Sequence, residues 1–350
     1  MVSIKGQITL AMQENNEIGK SKREFRMNND SSNIHSIKYY KDALDTSIKF
    51  GEFCKINFGV KKLGEFKPEY LHSFLKEKEQ GGCSMGHLIN LESHLIKLQI
   101  GIEKLSKSEK IKNGFGYTPF IENRMYKTSQ RELPKDRSYT QEEINIIKSS
   151  SSDKVQQAID LSLNLGLRIK ETCNIRVEHI VVNKEGRLEV LIPNRVDKQA
   201  RSINDVRSGA GTTKGGRFRE ISIPQSYEKQ LRELLKGKNP KDRIITLKES
   251  TLRSALKRAC ENKGVKSKGW HGFRHTYARR KLEDLLGSNR DKGLEIIKQM
   301  LKNQNQHMPF DKGVKENPLF EFTIQQINKV HSELGHGKNR WGLMAVYLSF

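Results

Sequence analysis

Cysteine is scarce and scattered. The four are Cys54, Cys83, Cys173 and Cys260, and no two are close enough in sequence for a CxxC pair. That spacing argues against a local zinc motif or a disulfide framework and fits reduced, mostly buried thiols of a cytosolic protein. Long apolar runs are missing too: none approaches the roughly 20 residues a membrane-spanning helix needs. The opening residues, Met1-Val2-Ser3-Ile4-Lys5-Gly6, carry no apolar export-signal core and no cleavage-like site, so export is not expected. Acidic residues are in deficit. The 41 Asp and Glu face 64 Lys and Arg, a net charge of +23 spread along the whole chain. A field of that size draws polyanions and speeds encounter with them, so nucleic acid is the expected partner and a membrane surface is not. A soluble protein that is merely basic is the plainer alternative.

The 350 residues suffice for two domains of ordinary size. Residues 1–32 are polar, with a basic run at Lys20, Lys22, Arg23 and Arg26, and read as a basic flexible tail. Residues 33–107 read as a helical bundle. Tyr40, Leu44 and Ile48 recur at helical spacing, Pro68 suits the first turn of a second helix carrying Leu71, Phe74 and Leu75, and Gly81-Gly82 ends it. The clearest stripe is Leu88, Leu91, Leu95, Leu98, Ile102 and Leu105, in alternating steps of three and four. Lysines off the stripes, among them Lys38, Lys49, Lys97 and Lys104, suit either a phosphate-facing surface or a plain solvated one. Residues 108–138 lack periodicity and read as a linker.

A second domain is expected over 139–350, mostly α with a small antiparallel β-sheet. Thr140-Gln141-Glu142-Glu143 has the capping-box pattern ahead of Ile144 and Ile147. An apolar helix ends near Gly166, another begins at Ile169, and Arg168 sits at the corner with Glu171 three residues on to brace it. Leu188–Pro193 reads as a strand, and Arg219–Pro224 as another with alternating faces. Between them Gly215-Gly216 predicts a tight turn with Lys214 at its tip, and 194–212 is longer than such a turn requires. Helical patterns return from 227, with a polar break around 303–318.

Five motifs in this half resemble those of the tyrosine recombinases, the phage-integrase family, in that family's order. They are Gly166-Leu167-Arg168-Ile169-Lys170-Glu171; Thr213-Lys214-Gly215-Gly216-Arg217-Phe218-Arg219 with Ile223-Pro224 behind it; His271-Gly272-Phe273-Arg274-His275-Thr276; Leu334-Gly335-His336; and Tyr347, 11 residues after His336. Any one occurs by chance; the ordered set over 140–350 does not. The bundle is similar to the family's core DNA-binding domain, on weaker grounds.

The resemblance implies a site-specific recombinase that cleaves and rejoins DNA through a 3′-phosphotyrosine, with no cofactor and no ATP. Tyr347 would be the nucleophile, Arg168 and Arg274 would hold the phosphate, and Lys214 would protonate the leaving 5′ oxygen. His271 would be the acid/base partner of the nucleophile, His336 a donor to the phosphate, and Glu171 a support. The implied partners are double-stranded DNA with recombination sites, three further copies in a tetramer, and an accessory DNA-bending or directionality protein, in a bacterial cytoplasm. His275 is expected as a core or hydrogen-bonding histidine, and Tyr277, Trp341 and Leu343 as packing residues. Three departures stand out: the inserted 194–212, the 62 residues from Arg274 to His336, and the short stretch after Tyr347, where a tail that docks on a neighbouring subunit is expected to be missing, shortened or replaced. The rival readings are a type IB topoisomerase and a DNA-binding regulator without catalysis.

Overall fold

The computed structural model describes residues 2–20, 22–28, 32–108, 116–132, 134–192, 219–336, 339 and 341–348. The chain divides into two compact units, Met1–Leu133 and Pro134–Phe350. The division falls a few residues before the expected start at 139, and the reason is local. Asp136 pairs with Arg279 at 2.6 Å, and the Tyr139 N–H donates to Thr276 Oγ1 at 2.8 Å, so this strap is already part of the second unit.

The first unit is a helical bundle of α1 (Ile4–Glu14), α2 (Lys22–Met27), α3 (Ile37–Phe58), α4 (Pro68–Gln80) and α5 (Met85–Ser106). Every residue of the Leu88–Leu105 stripe is buried, and Ser84 caps α5 by accepting from the His87 N–H. Pro68 stands in the first turn of α4 as its spacing predicts. In α3 the buried face is Ala43, Ser47, Phe50 and Cys54, whereas Tyr40, Leu44 and Ile48 are only partly buried. The helix is turned toward the aromatic cluster of Phe50, Phe66, Phe74 and Phe120.

Residues 1–32 are not a flexible tail throughout. Ile4, Ile8, Ala11 and Met12 of α1 are buried in the bundle. They recur at i, i+4, i+7 and i+8, one face of a helix, and the polar residues between them mask that face in a composition reading. Asn15 locks the end of α1 through Nδ2, which donates to the Lys97 carbonyl at 2.6 Å. Lys97 and Lys104 are not simply solvated, since they donate to the Ser32 carbonyl and to Asn33 Oδ1. The connection past residue 115 also belongs to this core: Phe120, Ile121 and Tyr126 are buried, and Gln99 Oε1 accepts from the Phe120 and Ile121 N–H groups.

The approach of α1 to α5 depends on Gly101, where a β-carbon would stand 2.2 Å from the Ala11 carbonyl oxygen. Backbone cannot yield as a flexible side chain does, so Gly101→Ala is expected to destabilise the first unit by about 1–3 kcal/mol. Urea unfolding would measure this; an unchanged midpoint would mean that α1 does not dock there.

In the second unit α6 (Gln141–Ser149) has the expected capping box: Thr140 Oγ1 accepts from the Glu143 N–H at 3.1 Å and Glu143 Oε2 from the Thr140 N–H at 2.8 Å. Next come α7 (Asp153–Leu165), α8 (Ile169–Asn174) and an antiparallel sheet in the order β1 (Ile180–Val182), β2 (Leu188–Ile192), β3 (Arg219–Ser222). Val190 pairs with Ile221 and Ile192 with Arg219. The helices α9 (Gln225–Leu235), α10 (Glu249–Asn262) and α11 (His271–Leu286) complete one core around the sheet. A second core is built by α12 (Arg290–Asn305), α13 (Phe320–Glu333) and α14 (Trp341–Tyr347) against the later turns of α11. Much of the long interval before His336 is therefore helix that buries Ile296, Ile297, Met300, Ile327 and Val330. α11 begins in the first core at Phe273 and runs into the second from Tyr277 onward. His271 and Arg274 sit where the two cores meet.

Candidate active site

Gly166 prepares the first corner. It ends α7 at φ +58, a left-handed conformation, and a β-carbon there would lie 2.4 Å from the Tyr277 ring. Both facts select glycine. Its carbonyl is left free to accept from Arg274 Nη1 at 2.5 Å. Two residues on, Arg168 is the N-cap of α8, and Glu171 holds it twice. Glu171 Oε2 accepts from the Arg168 N–H at 2.7 Å, and Oε1 from Arg168 Nη1 at 2.8 Å. The bracing expected from the i, i+3 spacing is thus present.

Glu171 does more than brace one arginine. Its carboxylate is fully buried and also receives Arg219 Nη2 at 2.6 Å, with Arg274 Nη1 at 3.9 Å. Burial by itself would raise this carboxyl, but Arg219, then Arg274 and Arg168, outweigh it and hold it below the usual range. Arg274 is itself wholly buried. Besides Gly166 it donates to the Leu334 carbonyl, and Nη2 lies 3.3 Å from His336 Nε2. Burial lowers its guanidinium to about 10, so it keeps its charge at neutral pH.

Tyr347 closes the cluster. His271 Nε2 is 2.8 Å from its phenol oxygen, and the Arg274 guanidinium carbon lies 5.6 Å from its ring centroid. His275 stacks on the ring at 4.6 Å and His336 tilts against it at 4.9 Å. The three imidazoles are neutral at pH 7. Burial, then Arg274, pushes His271 down to about 3 and His336 to about 2; burial, then Arg137, pushes His275 to about 4. A neutral ring at His271 can accept the phenol's hydrogen bond at Nε2.

All three folded values lie below the ordinary value of about 6.5, so the unfolded chain binds more protons at mildly acid pH. Stability is therefore full above about pH 6.5 and is lost as pH falls toward the folded values. With three groups, the slope is expected to approach about 4 kcal/mol per pH unit near pH 5. Urea unfolding from pH 7.5 to 4.5 measures it, and a flat profile would mean that these rings are solvated.

The structure thus brings together Arg168, Glu171, His271, Arg274, His336 and Tyr347. Lys214 lies outside the described residues, as does the turn at Gly215-Gly216. Two residues join the cluster that sequence reasoning did not assign to it. Arg219, which the sequence places at the start of a strand, is buried against Glu171. His275 was expected as a core histidine, and it is buried, but against the Tyr347 ring. Tyr277 packs as expected: its hydroxyl donates to Glu333, and burial holds the phenol well above its ordinary value. Leu343 packs against the second core.

Residues 138–286 match the model of the phage integrase family. In overall fold the chain is similar to the XerH site-specific recombinase bound to difH substrate in a pre-cleavage complex, with 15% identity, 99% of this chain and 94% of that one covered, and a TM-score of 0.51. The lambda integrase fragment of residues 75–356 bound to DNA shares 14% identity over 81% of this chain and 87% of that one, with a TM-score of 0.43. The Tn1549 transposon integrase with a circular intermediate DNA shares 12% over 81% and 88%, with a TM-score of 0.44. No curated protein matches the chain. The family match covers part of the second unit, and the chain has the fold of the XerH recombinase.

Proposed function

We propose that this chain is a site-specific DNA recombinase, the integrase of a mobile element, which cuts and rejoins strands through a covalent 3′-phosphotyrosine. One observation carries the reading: the Tyr347 phenol stands 2.8 Å from neutral His271 and over the Arg274 guanidinium, in a site where a second cation, Arg168, is tied to Arg274 through Glu171. An isolated phenol, with a pKa near 10, attacks poorly at pH 7. Here a base faces its proton and cations face the phosphate it would attack.

In the step proposed, Tyr347 Oη bonds to phosphorus while its proton passes to His271 Nε2. The P–O5′ bond breaks and its electron pair leaves on the 5′ oxygen, which takes a proton from Lys214. Arg168 and Arg274 hold the non-bridging oxygens, to which guanidinium forks are matched in shape, and His336 donates beside them. A 5′ hydroxyl from the exchanging strand then attacks the joint and restores the tyrosine. One phosphoester replaces another at each step, so ATP hydrolysis is not required. The bundle would grip the same duplex, and four copies would exchange strands between two sites, assisted by a DNA-bending or directionality protein.

The test uses a randomised library of nicked duplexes from which the leaving strand falls away. A protein–DNA adduct that survives denaturation, enriched in one sequence, is expected. Tight binding without any adduct would overturn the reading in favour of a silent regulator. Relaxation of supercoiled plasmid with no sequence preference would overturn it in favour of a type IB topoisomerase.

A further inference from the structure

Glu171 poses an electrostatic problem. It is a buried anion 2.8 Å from a cation that must bind another anion, and an unbalanced carboxylate there would compete with the DNA phosphate for Arg168. Arg219 is placed to prevent this. Its side chain is 2% exposed, and Nη2 meets Glu171 Oε2 at 2.6 Å, the shorter of the two hydrogen-bonded ion pairs that this carboxylate makes. The position is built from three segments. β3 points Arg219 inward, on the same face as Ile221. The first corner supplies Glu171. The turn before His336 supplies Gly335, at φ +71, where a β-carbon would stand 2.8 Å from Arg219 Nη1. Only a glycine there leaves room for the guanidinium. Two further donors of Arg219, Nε and Nη1, are buried and find no acceptor among the described residues.

We infer that Arg219 is a positioning residue for strand cleavage: it takes up the charge of Glu171, so that the positive charge of Arg168 and Arg274 acts on the phosphate. Arg168, Arg219 and Arg274 against Glu171 leave this set of four groups at +2. Without Arg219 it falls to +1, with the surviving carboxylate resting on the phosphate-binding pair.

The inference rests on the strand-transfer reading above, and its test separates the two. Adduct formation on a nicked duplex is followed in single turnover at saturating DNA, with Tyr347→Phe as the blank. Arg219→Met is expected to slow cleavage by roughly 30-fold or more, somewhat less than the loss of a donor that itself meets the reacting oxyanion, while DNA affinity changes by less than about threefold. Arg219→Lys is expected to recover part of the rate. The decisive variant is Arg219→Met combined with Glu171→Gln. It restores the net charge to +2 and is expected to cleave at least about tenfold faster than Arg219→Met alone, by the same electrostatic argument. A role in packing alone predicts the reverse, since the double variant removes a second buried partner. A double variant no faster than Arg219→Met, with both folded by circular dichroism, overturns the inference; so does an Arg219→Met rate within threefold of the original. Absence of any Tyr347-dependent adduct from the unmodified protein would instead overturn the strand-transfer reading itself.

Discussion

Arg274→Ala is expected to cut strand cleavage by about a thousandfold and to destabilise the second unit by about 3–5 kcal/mol. The two effects have one origin. The side chain is entirely buried and donates to two backbone carbonyls, Gly166 at one corner of the site and Leu334 at the other. Truncation leaves both acceptors without their charged donor, at about 1–3 kcal/mol each, and opens a cavity where the largest fully buried side chain stood. Part of that loss is returned, because a charge no longer has to be held out of water. The catalytic loss is of similar size, about 4 kcal/mol for a thousandfold, since the same guanidinium faces the attacking ring and would meet the phosphate. Lysine should rescue poorly: one ammonium cannot reproduce a planar fork that spans two carbonyls. Urea unfolding and single-turnover cleavage read the two effects separately. Cleavage within fivefold of the original, in a folded variant, would remove Arg274 from the site.

Tyr347→Phe should have the opposite profile, with adduct formation lost completely and stability nearly unchanged. The ring keeps its stacking on His275 and its place in the second core, and only the 2.8 Å hydrogen bond to His271 disappears. A single neutral hydrogen bond contributes about 1 kcal/mol. DNA binding should be retained, because the cations are untouched. The other buried phenol nearby, Tyr277, cannot substitute. Its hydroxyl is committed to Glu333 and its ring fills the space that Gly166 leaves open. Residual adduct from Tyr347→Phe would mean that another residue carries the chemistry.

Much of the site can be read in the sequence because its chemistry demands particular side chains in short segments. The turn at Gly166 places Arg168 and Glu171 within one helical turn of each other, and the His271–Arg274 spacing puts both on the first turn of α11. The stripe of α5 reads equally well, since one helix burying one face leaves a period. Arg219 is harder, because its role depends on Glu171, which is 48 residues away in sequence. A signal was nonetheless present. Arg219 and Ile221 alternate on one face of β3, so an isoleucine in the core carries the arginine inward with it. α1 was hidden for another reason: its four buried residues are separated by Lys5, Gly6, Gln7, Thr9 and the exposed Leu10, so composition reads as solvated while spacing does not. The helices between Arg274 and His336 are legible as helices, but their packing into a core of their own against α11 and α14 is a long-range fact that periodicity does not carry.

The most direct test of the account is to map the covalent joint. The adduct trapped on a nicked duplex would be digested with protease, the DNA-linked peptide identified by mass spectrometry, and the attached DNA end determined with end-labelled strands. The expected result is a single peptide joined through Tyr347 to a 3′ phosphate, with a free 5′ hydroxyl on the other strand end. A joint at any other residue, or to a 5′ phosphate, would contradict it.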